Sequence, residues 1–340
     1  MTKREGWAPV PRPRSGAARS VATALAVALS ACGGNGSVSE PGPEAAGTGE
    51  GIEAVGTPTT LDLGTWNLEW FGDVERGPTD EALQLSNAEL VLEGLDVDLW
   101  SVQEMTDGGQ FDDLVSRIDG FEGFLADDPI VDRGAEFYRD FEDQEQKVGL
   151  LYRSSAVTVT DARVILTERD WEFAGRPPVE VELLVNVAGT TRSLVVIVLH
   201  AKAGDGVEDW ERRSAASEAL EAYLETTWPT TEVAVLGDFN DDVDVSISGG
   251  RPSSYDNLVA DPDWTFLTAA LSTSGRASTV FYPDVIDHIL VSDELLPRYV
   301  DGSVEAVRVD AWLSDYGETT SDHYPVVSRF RWAPAPSPAP

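Results

Sequence analysis

The chain has 340 residues, enough to bury a full core in one large domain or two modest ones, and its 42% hydrophobic and 9% aromatic content is ordinary for a soluble enzyme. Its 60 acidic residues against 24 basic ones give a formal charge of −36, which repels polyanions at low ionic strength and argues against tight non-specific binding of nucleic acid. Cys32 is the single cysteine, so a disulfide within the chain is excluded.

The first residues carry Lys3, Arg4, Arg12, Arg14 and Arg19, followed by a small apolar run from Val21 to Ala31 that ends in Leu29-Ser30-Ala31-Cys32. A basic region before a short apolar run and a small-residue cleavage site is the pattern of a secretory signal, and the run is too short to span a bilayer comfortably. The ending also resembles a bacterial lipobox, which would make Cys32 the lipidated first residue of an exported protein, anchored at the cell envelope or released outside. Residues 33–60, rich in Gly, Pro, Ser, Glu and Ala, are expected to form a flexible tether, and the Pro/Ala tail of residues 331–340 to be unstructured. The remainder, residues 57–340, keeps the whole charge, because residues 1–56 hold five basic and five acidic side chains. Lys3, Lys147 and Lys202 are the only lysines. An acidic, lysine-poor composition is also that of proteins from salty habitats, where at 1 M salt the screening length falls to about 3 Å and charge reports habitat more than substrate.

Within the body, Val/Ile/Leu-rich runs predict strands at Leu61–Asn67, Leu99–Gln103, Val148–Arg153, Val179–Val187, Leu194–Leu199, Val233–Leu236, Val285–Val291 and Val326–Phe330. Helices are predicted at Asp80–Leu95, Gln110–Arg117 and Glu208–Thr226; in the last, Ala216, Leu220, Tyr223 and Leu224 share one face while Arg212 and Arg213 fall on others. No internal repeat is evident, and the pattern is that of one continuous α/β domain.

Chemistry-bearing residues cluster where the strands stop: Trp66-Asn67-Leu68-Glu69, Gln103-Glu104, His200, Gly237-Asp238-Phe239-Asn240, and Ser321-Asp322-His323 before the last strand. Strands of one sheet can bring such ends to a common rim. The set offers carboxylates, amides and imidazoles, donors that suit a hard cation such as Mg²⁺, Mn²⁺ or Ca²⁺ better than zinc.

Taken in order, these motifs resemble those of the endonuclease/exonuclease/phosphatase superfamily, which includes deoxyribonuclease I-like enzymes, over roughly Leu61 to Phe330. The resemblance implies a four-layer α/β sandwich, two mixed β-sheets packed face to face with helices outside. It implies a metal held by Glu104, with the Asn67 amide beside it, Glu69 where relatives carry Asp or Glu, and Asp322 near the metal or a second one. Asp238 and Asn240 match the pair that orients the attacking water and holds the phosphate. His323 matches the catalytic histidine with Asp287 as its carboxylate, acting either as base or as a charged partner of the phosphate. His200 stands where deoxyribonuclease I-like and sphingomyelinase-like members use histidine to assist the leaving oxygen and repair nucleases often use tyrosine. Lys202 is placed near the phosphate, with Arg212 or Arg213 on the following helix. His288 is expected to pack or hydrogen-bond away from the site, and Asp241 and Asp242 to be solvated.

The implied activity is divalent-metal-dependent hydrolysis of a phosphodiester, most simply by an exported nuclease acting on DNA. One alternative is a phosphodiesterase or phosphatase for phospholipid headgroups or small phosphoesters, for which Trp171, Trp210, Trp264 and Trp312 would matter if exposed, although a core position is the first reading for each. Another is a non-catalytic binding module. Arg133–Lys147, with Tyr138, Arg139 and Phe141, is a candidate substrate loop. A monomer without protein partners, tethered to a membrane only through the N-terminal lipid, is expected.

Overall fold

The computed structural model describes residues 51–138 and 145–332. The expected signal segment, Cys32 and most of the expected tether, Arg139 and Phe141 of the candidate substrate loop, and the tail from residue 333 lie outside the described residues.

Twelve strands and seven helices follow in the order β1 (Thr60–Phe71), α1 (Glu81–Leu95), β2 (Leu99–Met105), α2 (Gly108–Arg117), β3 (Phe121–Leu125), α3 (Gly134–Phe137), β4 (Lys147–Arg153), β5 (Val157–Val164), β6 (Val179–Val187), β7 (Thr190–His200), α4 (Val207–Thr227), β8 (Val233–Asp238), α5 (Asp256–Ala260), β9 (Trp264–Phe266), α6 (Ala269–Thr273), β10 (Asp287–Ser292), β11 (Glu305–Ala306), α7 (Tyr316–Thr319) and β12 (Val326–Arg331). They form two six-stranded sheets, ordered β11-β12-β1-β2-β4-β3 and β5-β6-β7-β8-β10-β9. Each sheet contains one parallel pair, β1 with β2 and β7 with β8, and all other pairings are antiparallel. A parallel pair needs a crossover, which α1 and α4 supply. The expected four-layer sandwich is therefore the fold.

Strand periodicity assigns each side chain its layer. Leu61 and Leu63 of β1, Val196 and Val198 of β7, Leu236 of β8 and Ile289 of β10 meet in the apolar layer between the sheets. The alternate residues face helices: Trp66, Trp100 and Val102 pack with Leu85, Ala88, Val91, Leu92 and Leu95 of α1, while Val195, Ile197, Val233 and Val235 pack with Leu220 and Leu224 of α4. Full burial of each such Leu or Val contributes about 1.5–3 kcal/mol. The α1 start is fixed by Asp80, whose Oδ1 accepts from the Leu83 N–H at 3.1 Å.

Strands β3, β5, β9 and β11 escaped prediction, and they are the four edge strands of the two sheets. An edge strand needs only part of its length covered, so it carries no long apolar run; β5, with sequence VTVTDARV, alternates buried and exposed residues. The packed body also reaches past 61–330 at both ends. Ile52 and Val55 pack against the α1 layer, and the Val55 and Gly56 N–H groups both donate to Leu95 O at 3.0 Å. Trp332 is fully buried and its Nε1–H donates to Val185 O at 3.1 Å. No helix among the described residues is long and apolar enough to cross a membrane.

Candidate active site

The intersheet face that is apolar along the strands turns polar where they end. His200 sits opposite Asp238 in the β7–β8 register, and Asp238 opposite Asp287 in the β8–β10 register, so three site residues form one row across the second sheet. Asn67 and Gln103 occupy the matching positions of β1 and β2 in the facing sheet. The Asn67 Nδ2 joins the sheets, donating to Asp238 Oδ2 at 3.0 Å and to Glu104 Oε1 at 3.2 Å. His200 Nε2 lies 3.5 Å from Asp238 Oδ2 and 3.7 Å from Glu104 Oε1.

Backbone turns at the strand ends aim the remaining groups. Glu69, Trp70, Glu104 and Asn240 have φ of 44°, 53°, 61° and 53°, a left-handed conformation that costs side-chain-bearing residues about 1–3 kcal/mol each and is held by surrounding contacts. The Trp70 N–H donates to Glu104 Oε2 at 3.1 Å, the Asp322 N–H to Glu69 Oε2 at 3.0 Å, and the Asn240 N–H to Asp238 Oδ1 at 2.8 Å. Gly237 precedes Asp238 because a Cβ there would stand 2.0 Å from the Leu199 carbonyl oxygen.

His323 precedes β12 and reaches across to β10, where its Nδ1 lies 2.8 Å from Asp287 Oδ2. The same oxygen accepts from Ser278 Oγ at 2.7 Å. Ser321 Oγ donates to Asn67 O at 2.6 Å and accepts from the His323 N–H at 3.0 Å, tying the histidine to the end of β1. His323 Nε2 lies 3.7 Å from Asp322 Oδ1.

Electrostatics separate the imidazoles. Burial alone would lower the His323 pKa, but Asp287, Asp322 and Asp238 outweigh it and hold it well above the usual histidine value. His200 is held well below that value by burial first, then by Arg176 and His323. Burial, reinforced by Asp322, raises Glu104, and burial pushes Asp238 up to about 7 despite the opposing charge of His323. Asp238, Asp287 and His323 each offer one ligand atom within 4.8 Å of the others. Glu104, Glu69 and Asp322 add oxygen donors nearby. A buried, oxygen-rich excess of carboxylates fits a hard divalent cation.

The remaining expectations divide. Lys202 Nζ is paired with Asp209 Oδ1 at 2.7 Å, and the Arg212 Nε–H donates to Trp171 O at 3.0 Å with its guanidinium 3.9 Å from the Trp171 ring centre. Arg213, placed by periodicity off the apolar face, is fully buried; it donates to Lys202 O at 2.9 Å, Gly204 O at 2.7 Å and Ser248 Oγ at 3.1 Å, and lies 3.6 Å from Asp241 Oδ2. Asp241 and Asp242 are buried, not solvated, because each caps loop groups: Asp241 accepts from Ser246 Oγ, Ile247 N–H and both Ser254 donors, and Asp242 from the Val243 and Val285 N–H groups. His288 points away from the site, as expected, with Nδ1 2.6 Å from Thr268 Oγ1 and Nε2 3.0 Å from Asp241 O. In the candidate substrate loop, Tyr138 is buried against Pro177 O at 2.6 Å and Lys147 lies 3.8 Å from Asp127. Of the four tryptophans, Trp264 is buried, Trp210 half-buried, and Trp171 and Trp312 exposed.

Two site residues were missed. Arg176 donates to Ala201 O at 3.1 Å and to Gln146 Oε1, is attracted by Glu104 and Asp238, and its buried Nε has no hydrogen-bond partner among the described residues. Its only signal was an arginine before Pro-Pro at the start of a strand. Ser278, in an unpatterned loop, gave none.

The structure and site define an α/β phosphoester hydrolase. The profile described as Endonuclease/Exonuclease/phosphatase family matches residues 64–323, and the chain belongs to that family. Similar solved structures include the human Nocturnin catalytic domain with bound sulfate anion (18% identity, TM-score 0.54, covering 81% of this chain and 94% of that one). Others are a humanized D. rerio TDP2 (14%, 0.54, 80% and 99%) and an AP endonuclease from Archaeoglobus fulgidus (16%, 0.53, 79% and 99%). At such identities the likeness establishes the fold. A comparison with curated proteins found no match.

Proposed function

We propose that this protein is a divalent-metal-dependent phosphodiesterase acting on nucleic acid, DNA in the first instance, exported by its N-terminal signal and anchored through Cys32. The observation that carries the catalytic reading is the joining of the two sheets by Asn67, which brings Glu104, Asp238 and His200 together at the rim where His323 pairs with Asp287. Among the solved neighbours, D. rerio TDP2 in complex with single-strand DNA product supports a nucleic-acid substrate by analogy.

Glu104, Glu69 and Asp322 would hold the cation, with Asn67 beside it, its amide oxygen taking the Glu69 N–H at 3.0 Å and its Nδ2 bridging Glu104 and Asp238. Mg²⁺ or Mn²⁺ there would polarise the phosphoryl oxygens and offset developing charge. Asp238, with a pKa near neutrality, takes the proton from the attacking water as the new P–O bond forms opposite the breaking one. His323, kept charged by Asp287, stabilises the phosphoryl oxygens and is no base. His200, whose pKa burial holds well below the usual value, offers an N–H hydrogen bond to the departing oxygen, which leaves as an alkoxide and takes its proton from water.

The test is one panel: the purified protein with Mg²⁺, Mn²⁺ or Ca²⁺ on plasmid, single-stranded DNA, RNA, sphingomyelin and phosphoinositides, from low to high salt. Cleavage of nucleic acid, rising with salt as the charge is screened, is expected. Intact plasmid, single-stranded DNA and RNA under every condition, with another phosphoester hydrolysed, would overturn the nucleolytic assignment.

A further inference from the structure

Three large aromatic side chains stand in water within a few residues of the site: Trp171 is 59% exposed, Phe281 52% and Tyr282 56%. Each is carried by a segment that the site itself holds. Trp171 opens the turn that ends at Arg176, closed by Gly175 N–H to Asp170 O at 2.7 Å and Arg176 N–H to Phe173 O at 3.0 Å. Arg212 covers one face of the indole, leaving the ring seated but outside the core. On the His323 side, Thr279 bridges to His323 and the Val280 N–H donates to Asp322 O at 2.8 Å, while Thr279 Oγ1 donates to Tyr282 O at 2.8 Å to close the tip that bears Phe281 and Tyr282.

We infer that these rings are stacking platforms for the bases on either side of the scissile phosphate, and that the strand is unpaired there; this rests on the nucleolytic reading above. Base faces are open to a protein ring only where the bases are not stacked in a duplex, and each stacked base then contributes about 1–3 kcal/mol whatever its identity. A chain at −36 cannot rely on a basic groove: Arg163, Arg192, Arg298 and Arg308 are each tied to carboxylates. A duplex, with one charge per about 1.7 Å, meets the strongest repulsion. A lipid surface is the competing partner for exposed rings. It fits less well, because Asp170 and Glu172 flank Trp171 and Asp284 follows the Phe281–Tyr282 tip, and these carboxylates would lose hydration in it.

The test uses the full chain with Mg²⁺ or Mn²⁺ on three labelled DNAs of one sequence: a single strand, a hairpin duplex, and a single strand with abasic residues flanking the cleaved phosphate. The single strand should be preferred, and removing the bases should raise KM on the order of tenfold. Trp171→Ala, and Phe281→Ala with Tyr282→Ala, should raise KM for the intact strand by a similar factor with kcat held, add nothing on the abasic strand, and be rescued by Trp171→Phe. Equal cleavage of duplex and single strand, or ring and base losses that multiply independently, overturns the stacking inference alone. Loss confined to phosphatidylcholine–sphingomyelin vesicles also overturns it, assigning the rings to a membrane. Failure to cut any of the DNAs while another phosphoester is hydrolysed overturns the nucleolytic reading, and this inference with it.

Discussion

Replacing Asp287 with Asn tests the charge state of His323 directly. The carboxylate accepts from His323 Nδ1 at 2.8 Å and Ser278 Oγ at 2.7 Å; an amide oxygen keeps one acceptor but loses the charge. Burial, the largest influence on His323, then works against less opposition and its pKa falls. A charge-assisted hydrogen bond is worth about 1.5–3 kcal/mol net, which sets the expected loss of stability while His323 is protonated. Because the folded-state pKa is raised, the stabilisation is fully present below the unfolded value of about 6.5 and disappears as pH rises through the folded one. The stability gap between wild type and Asp287→Asn should therefore be widest near pH 5.5 and narrow on the alkaline side. Turnover should drop about 10²- to 10⁴-fold. The chain has only three histidines, and burial keeps His200 and His288 low, so imidazole-edited ¹⁵N NMR near pH 7 should show one imidazolium in the wild type and none in the variant. An imidazolium that persists in Asp287→Asn, or a gap that widens with pH, refutes the reasoning.

Glu104→Gln should weaken the apparent affinity for the activating metal at least about tenfold in rate titrations, yet raise the unfolding midpoint of chelated protein, because it removes one of two buried carboxylates that share the Asn67 amide. In chelated wild type, stability should fall as pH rises through about 7, since the raised Asp238 binds a proton more tightly folded than unfolded; added metal should flatten that dependence. Arg213→Met leaves Asp241 buried without its guanidinium and frees the Lys202 and Gly204 carbonyls, a loss of about 3–5 kcal/mol measurable by urea unfolding. Trp332→Ala should cost about 3–5 kcal/mol in the same assay, and a chain stopped at Phe330 should lose a similar amount.

Much of the architecture was legible because it is repetitive. The central strands are buried on both faces and appear as unbroken Val/Ile/Leu runs, and the residues at their ends carry motifs whose order survives in one dimension. The runs by themselves gave one continuous α/β domain and His288 facing away, and the family resemblance that the motifs carry added the two-sheet sandwich and the rim where Asn67, Glu104, His200, Asp238, Asp287 and His323 converge. The edge strands were illegible because half-covered strands need no apolar run, and the ends at Ile52 and Trp332 because single packed side chains leave no period. Arg213 and Asp241 look solvated in sequence, since charge alone predicts exposure; only the fold supplies the carbonyls and hydroxyls that let them be buried. The same holds for the chemistry. Three histidines are identical as letters, but which one is charged depends on the carboxylates that tertiary structure sets around each, and on Arg176, which it brings from a distant hairpin to lie beside His200.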